Sequence, residues 1–160
     1  MGMKKYWSLA LPFLGVLFLD ILTKEYVITH FPLFYSRSVI PGFFNLVHIQ
    51  NKGVAFGILG GSAPIWRDIL LLLFPIVAMS CILIFALCYP QQKIGILLSL
   101  GGILGGALGN LIDRLRFRAV VDFLDIYWGN YHWPAFNVAD SAITIGVLFL
   151  VFCYMSTKET

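Results

Sequence analysis

The chain has 160 residues, of which 59% are hydrophobic and only 12% charged, with a formal net charge of +3. Soluble domains carry about 45–50% apolar and about 25% charged residues. The composition therefore excludes an ordinary soluble domain and points to an integral membrane protein, read as one domain over residues 1–160.

The first apolar run, Tyr6 to Leu22, follows Lys4 and Lys5 and carries one charge, Asp20. No small-x-small cleavage site follows it, so it is read as a spanning helix over about residues 6–23 rather than a signal peptide. Asp20, Thr23 and Lys24 stand at i, i+3 and i+4 and share one helical face. They form either a snorkelling ion pair at the helix end or part of a polar site. In the following loop, "GFFNLVHIQNKGVAFGIL" is rich in aromatic and β-branched residues around an Asn-Lys-Gly turn signal. It predicts a small sheet lying on the membrane. Uncharged runs then predict a second span over 69–89 and, after a short loop at Pro90 to Lys93, a third over 94–112.

The third run ends in "GGILGGALGNLIDR". Gly101, Gly105 and Gly109 recur every four residues, as do Gly102 and Gly106, giving two faces on which neighbouring helices can approach closely. Asn110, Asp113 and Arg114 leave that helix end together. An Asp113–Arg114 cap is the simple account, but Asn110 inside an apolar run needs a hydrogen-bond partner. The third loop contains "VVDFLDIYW", an extended stretch that places Asp122 on the side opposite Val121 and Phe123. Asp125 is read as a solvated loop charge. Tyr127, Trp128, Tyr131 and Trp133 are read as an interfacial aromatic belt, and as a lid hinged at Gly129 and Asn130. The fourth span, about 140–157, has Asp140 at its head, as a helix N-cap or as a functional acid.

Cys81, Cys88 and Cys153 lie in apolar runs without CxxC spacing, and His30, His48 and His132 are scattered, so neither a disulfide nor a zinc site is expected. Four spans put both termini on one side and the two long loops on the other. Asp20, Lys24, Asp113, Arg114, Asp122 and Asp140 thus gather at one membrane face. The long-loop side holds seven Lys/Arg and the other side four, and a raw positive-inside count would put the long loops in the cytoplasm.

Grouped acids without a Ser/His or Cys/His pattern suggest carboxylate chemistry. Two close carboxyls cannot both ionise easily, so they share a proton; one takes a proton from water while the other donates to a scissile carbonyl. Composition and spacing leave open which two acids pair. A proton relay or transporter is an alternative, but it needs acids through the bilayer, and here they sit at one face. A structural assembly partner built on the glycine helix leaves the acids and Asn110 unexplained. The Gly-x-Ser-Gly and Gly-x-Gly-Asp signatures of two other membrane-protease classes are absent.

Five motifs occur in order: "DILTK" at Asp20–Lys24, "NKGVAF" at Asn51–Phe56, "GGALGNLIDR" at Gly105–Arg114, "VVDF" at Val120–Phe123 and "FNVAD" at Phe136–Asp140. Together they resemble the signal peptidase II family, the A8 aspartic peptidases that process lipoproteins. Ile21 departs from the family's usual Gln in the first motif. The resemblance implies an all-α membrane protein of four transmembrane helices, with a small extracytoplasmic β-cradle and a short loop or helix over the active site. It implies Asp122 and Asp140 as the catalytic dyad, and Asp113 as structural through Arg114 or a loop backbone. Asn110 and Arg114 become substrate contacts, Asn51 and Asn137 position substrate or dyad, and Asp20 and Lys24 support the fold. The implied substrate is a diacylglyceryl-modified prolipoprotein, cut just before the lipidated cysteine, in contact with membrane lipids. The implied location is the bacterial inner membrane, with both termini cytoplasmic and the site extracytoplasmic, against the raw Lys/Arg count. A monomer is expected, with no metal, organic cofactor or nucleic-acid partner.

Overall fold

The computed structural model describes residues 2–53, 65–88 and 93–156. The elements in chain order are α1 (Gly2–His30), β1 (Ser36–Ile40), β2 (Phe44–Asn51), α2 (Ile65–Cys88), α3 (Ile94–Phe117), β3 (Val120–Trp128), β4 (Tyr131–His132) and α4 (Val138–Met155). Val54–Phe56 of the second motif, and the expected span ends Tyr89 and Thr157, lie outside the described residues.

All four helices are long and apolar enough to cross a membrane. All four run past the uncharged stretches that mark them in the sequence; α2 starts at Ile65, ahead of Arg67 and Asp68 and before the expected 69, and α4 at Val138, ahead of Asp140. The first continues through Thr23 and Lys24 to His30, and the third through Asp113 and Arg114 to Phe117, so these residues are helical rather than the start of loops. The physical reason is that lipid limits only the uncharged length. Charged residues that find partners propagate a helix as well as apolar ones do. Arg114 and Arg116 in the last turn of α3 also suit the negative end of its dipole.

The bundle is built around α3. In its most apolar window 61% is buried, against 6–11% for the other three helices, which present Leu, Ile and Phe to lipid. Small residues explain this. A Cβ on Gly105 would stand 2.5 Å from the Phe13 carbonyl oxygen of α1, and one on Gly106 2.5 Å from the Ala139 carbonyl oxygen of α4. The two glycine faces thus serve two different neighbours. Gly102 meets nothing within 4 Å.

The strands form one antiparallel sheet in the order β1-β2-β3-β4, resting on the helix ends through Val27, Val121 and Phe123. The aromatic segment expected over the site is a tight β3–β4 hairpin, turning at Gly129 (φ +61°), with Tyr127 stacked on His132. Between α3 and β3 the chain reverses at Arg118, which adopts φ 55° and ψ 23° and donates its backbone N–H to the Arg114 carbonyl at 2.9 Å. Glycine ordinarily takes that left-handed C-cap, and a side chain there costs roughly 1 kcal/mol.

Candidate active site

Three helix ends and two strands converge on one polar cluster. Lys24, buried at 2% exposure, points its ammonium at three oxygens: Asp20 Oδ2 at 2.7 Å, Asp113 Oδ2 at 2.9 Å and Asn110 Oδ1 at 3.0 Å. The Asp20 contact is the shortest of the three. Each carboxylate also fixes backbone: Asp20 Oδ1 accepts from the Ala139 N–H at 2.9 Å, and Asp113 Oδ2 from the Val121 N–H at 3.0 Å. One buried cation thereby ties α1 to α3, and its partners pin the starts of β3 and α4. The Asp113–Arg114 cap is not what forms. Asp113 turns to Lys24 and Val121, while Arg114 reaches back to the Asn110 carbonyl at 3.3 Å.

Asp122 comes from β3, where it pairs with Ile49, and its diagonal neighbour across the ladder is Asn51. Asn51 Nδ2 donates to Asp122 Oδ2 at 3.0 Å. Asp140 stands in the first turn of α4, but the N-cap is Asn137, whose Oδ1 accepts the Asp140 N–H at 2.9 Å. Asp140 therefore keeps its carboxylate for the cluster instead of spending it on the cap. The two acids are drawn to one cluster because Phe136 is clipped to Leu124 by a pair of backbone bonds, 2.8 and 3.0 Å, which lays the start of α4 against β3.

Two amides link the acids in series, with Asn137 Nδ2 donating to Asn110 Oδ1 at 3.2 Å between them. Asn137, fully buried, donates to Asp122 Oδ1 at 2.8 Å while its oxygen caps α4 under Asp140. Asn110 donates to Asp140 Oδ1 at 2.8 Å and accepts from Lys24. A lysine can only donate, so Lys24 fixes which way the Asn110 amide faces. Both groups of Asn110 thus have partners within the cluster. Burial pushes the Asp122 carboxyl up from 3.8 to about 7, and the Asp140 charge adds to this; hydrogen bonds from Asn51 and Asn137 and the Lys24 charge pull the other way. A carboxyl at about 7 beside a second acid can hold a proton at neutral pH and give it up on demand.

An open cleft of about 650 Å³ gives access to the site, with Asn51, Lys52, Arg114, Asp122, Pro134 and Ala135 in its lining. Of the residues expected at the site, Asn51, Arg114 and Asp122 face the cleft, Asn110, Asn137 and Asp140 form the bridged network, and Asp20, Lys24 and Asp113 lie behind it. Thr23 stays apart, bonded to its own helix at the Leu19 carbonyl. Two features escaped the sequence reading. Asp125 is not a solvated charge: it is buried, accepts from Asn45 at 2.8 Å and meets His132 Nδ1 at 2.8 Å. The ion pair of Glu25 with Arg116 links α1 to α3 beyond the cluster. Their partners are far apart in sequence or across a hairpin, and no spacing signals them. Among the described residues no His/Cys/Asp/Glu group could hold a metal ion.

Four membrane-length helices under a small sheet, with two amide-bridged carboxyls at the junction, define a multi-pass membrane protein with an acid site at one face. Comparison with known proteins carries this further. The family description "Signal peptidase (SPase) II" matches residues 13–156, and the chain belongs to that family. It is 48% identical over 136 residues to the lipoprotein signal peptidase of Syntrophus aciditrophicus, covering 85% of this chain and 84% of that one. It is 41% identical over 156 residues to that of Maridesulfovibrio salexigens, covering 98% and 100%. Two solved structures, each described as a bacterial membrane enzyme studied in meso, superpose with TM-scores of 0.80 and 0.78 at 31% and 32% identity. They cover 92% and 90% of this chain and 87% and 90% of their own.

Proposed function

We propose that this protein is an aspartic endopeptidase that removes signal peptides from diacylglyceryl-modified prolipoproteins, with Asp122 and Asp140 as its catalytic dyad. Membership of the signal peptidase II family makes it a protease of lipoprotein processing. The observation that carries the finer reading is the bridge of Asn137 and Asn110 between two carboxyls, one of them pushed up to about 7, beside an open cleft.

In this reading the dyad holds one proton, carried mainly on Asp122, and its titration belongs to the pair. The Asp140 carboxylate takes a proton from a water as that water attacks the scissile carbonyl, and Asp122 gives its proton to the carbonyl oxygen. The resulting gem-diol collapses as Asp140 returns its proton to the leaving amine, and one hydroxyl proton goes back to Asp122. The C–N bond breaks, one water is consumed and the dyad is restored. Asn51 and Asn137 orient Asp122, Asn110 orients Asp140, and Arg114 at the cleft wall binds the substrate backbone. Asp20, Lys24 and Asp113 hold the frame. The bond cut is the one before the lipidated cysteine, whose acyl chains stay in the bilayer while the peptide reaches the cleft. The enzyme acts as a monomer in the bacterial inner membrane, with its termini in the cytoplasm and its site outside. A test is direct: Asp122→Asn and Asp140→Asn each abolish cleavage by protein that still inserts and melts cooperatively, and residual wild-type activity in either overturns the dyad.

A further inference from the structure

The strained C-cap at Arg118 has a side chain that opens onto a second cavity. This cavity, of about 240 Å³, lies between the N-terminal end of α2 and the C-terminal end of α3. Its rim carries Lys52, Arg114 and Arg118, and its wall Ile69 and Leu72. Among the described residues the one acid in the lining, Asp68, is paired with Arg67 at 3.1 Å, so the rim stays positive. Below it the exposed Ile69, Leu70 and Leu73 of α2 continue into the lipid-facing surface. Arg118 and Lys52 are both exposed and take no part in the dyad network. A backbone conformation that glycine adopts freely is here occupied by arginine, and strain of this kind persists where the side chain is used.

We propose that this cavity binds the headgroup of an anionic phospholipid, with Arg118 and Lys52 holding the phosphate and the acyl chains running down α2. Cations above an apolar, lipid-facing wall complement a molecule with an anionic head and apolar tails. The diacylglyceryl group of the proposed substrate carries no charge, so it gives these cations nothing to bind. The cavity admits a headgroup and not two acyl chains, which suits a lipid whose tails remain in the bilayer. The cavity adjoins the cleft, sharing Asn51, Lys52, Leu71 and Arg114 with it, and the test does not use cleavage.

The test is thermal unfolding of the full chain in a neutral detergent, with short-chain phosphatidylglycerol, the matching phosphatidylcholine, inorganic phosphate or a short acidic peptide added. Saturating phosphatidylglycerol should raise the midpoint by about 5–10 °C, and the other three by much less. Arg118→Gly, freed of its left-handed strain, should melt no lower than the native protein without lipid and yet lose most of the shift. Lys52→Gln should lose part of it. The proposal is overturned if phosphatidylcholine, phosphate or the acidic peptide matches phosphatidylglycerol, or if Arg118→Gly keeps the full shift. It is equally overturned if Arg118→Gly melts well below the native protein without lipid, since the arginine is then structural.

Discussion

Replacing Asp122 by asparagine should change how stability depends on pH. The carboxyl is 2% exposed and titrates at about 7 in the fold, against 3.8 for the free side chain. A group whose pKa is raised on folding contributes stability that is fully present below pH 3.8 and is lost as pH rises through about 7. Three units correspond to about 4 kcal/mol, or roughly 10 °C in the midpoint of a protein of this size. Asparagine is the neutral isostere, so the variant should lack this loss. Its absolute stability also reflects how the new amide meets the Asn51 and Asn137 donors, so the slope is the informative quantity. The assay is tryptophan-fluorescence melting in mild detergent from pH 4 to pH 8, native protein against Asp122→Asn. The native midpoint should fall over this range by several degrees more than that of the variant. Parallel curves would refute the reasoning, because they would mean that Asp122 ionises in the fold as it does in water.

Lys24→Met leaves the Asp20 and Asp113 carboxylates buried without their shared cation. It should cost about 3–5 kcal/mol, read as a lower melting midpoint and a lower yield of folded protein. Asn137→Ala removes the cap of α4 and the bridge to Asp122. It should cost about 2–4 kcal/mol in stability, from the lost cap and the buried partners left unpaired, and roughly 100-fold in cleavage rate through misplacement of the acids, as melting and kinetics taken well below the midpoint would show. Gly106→Ala drives a methyl into the Ala139 carbonyl, next to Asp140, whereas Gly102→Ala meets open space. The first should cost about 1–3 kcal/mol and the second almost nothing, as their melting midpoints would report.

The four helices were legible because lipid leaves the backbone few options, and uncharged runs measure its thickness directly. Strands β2 and β3 were legible from their β-branched and aromatic residues; β1 at Ser36–Ile40 was not read, and the expected sheet beyond Gly53 lies outside the described residues. What the residues could not reveal was the partner of each acid. Asp122 and Asp140 are 18 positions apart in the sequence, and the pairing of Phe136 with Leu124, which lays the start of α4 against β3, is a contact that no periodicity announces. Only the resemblance of the motifs singled out these two acids as a pair. Whether Asp140 caps α4 stayed open in the sequence because Asp and Asn are nearly equal N-caps, and "FNVAD" offers both; the structure gives the cap to Asn137. Asp125 read as solvated because its partner Asn45 is 80 residues away. Arg118 escaped notice because positive φ at a non-glycine residue leaves no mark in the sequence.

The central claim is that a dyad of Asp122 and Asp140 cuts a lipid-bearing precursor. The most direct measurement incubates purified protein with a diacylglyceryl-modified prolipoprotein and, separately, with the same precursor lacking lipid, and reads the products by mass spectrometry. The account predicts cleavage of the lipidated precursor alone, immediately before the modified cysteine, with no product from the Asp140→Asn protein. Cleavage at that bond by well-folded Asp140→Asn protein, or equal cleavage of the unlipidated precursor, would contradict it.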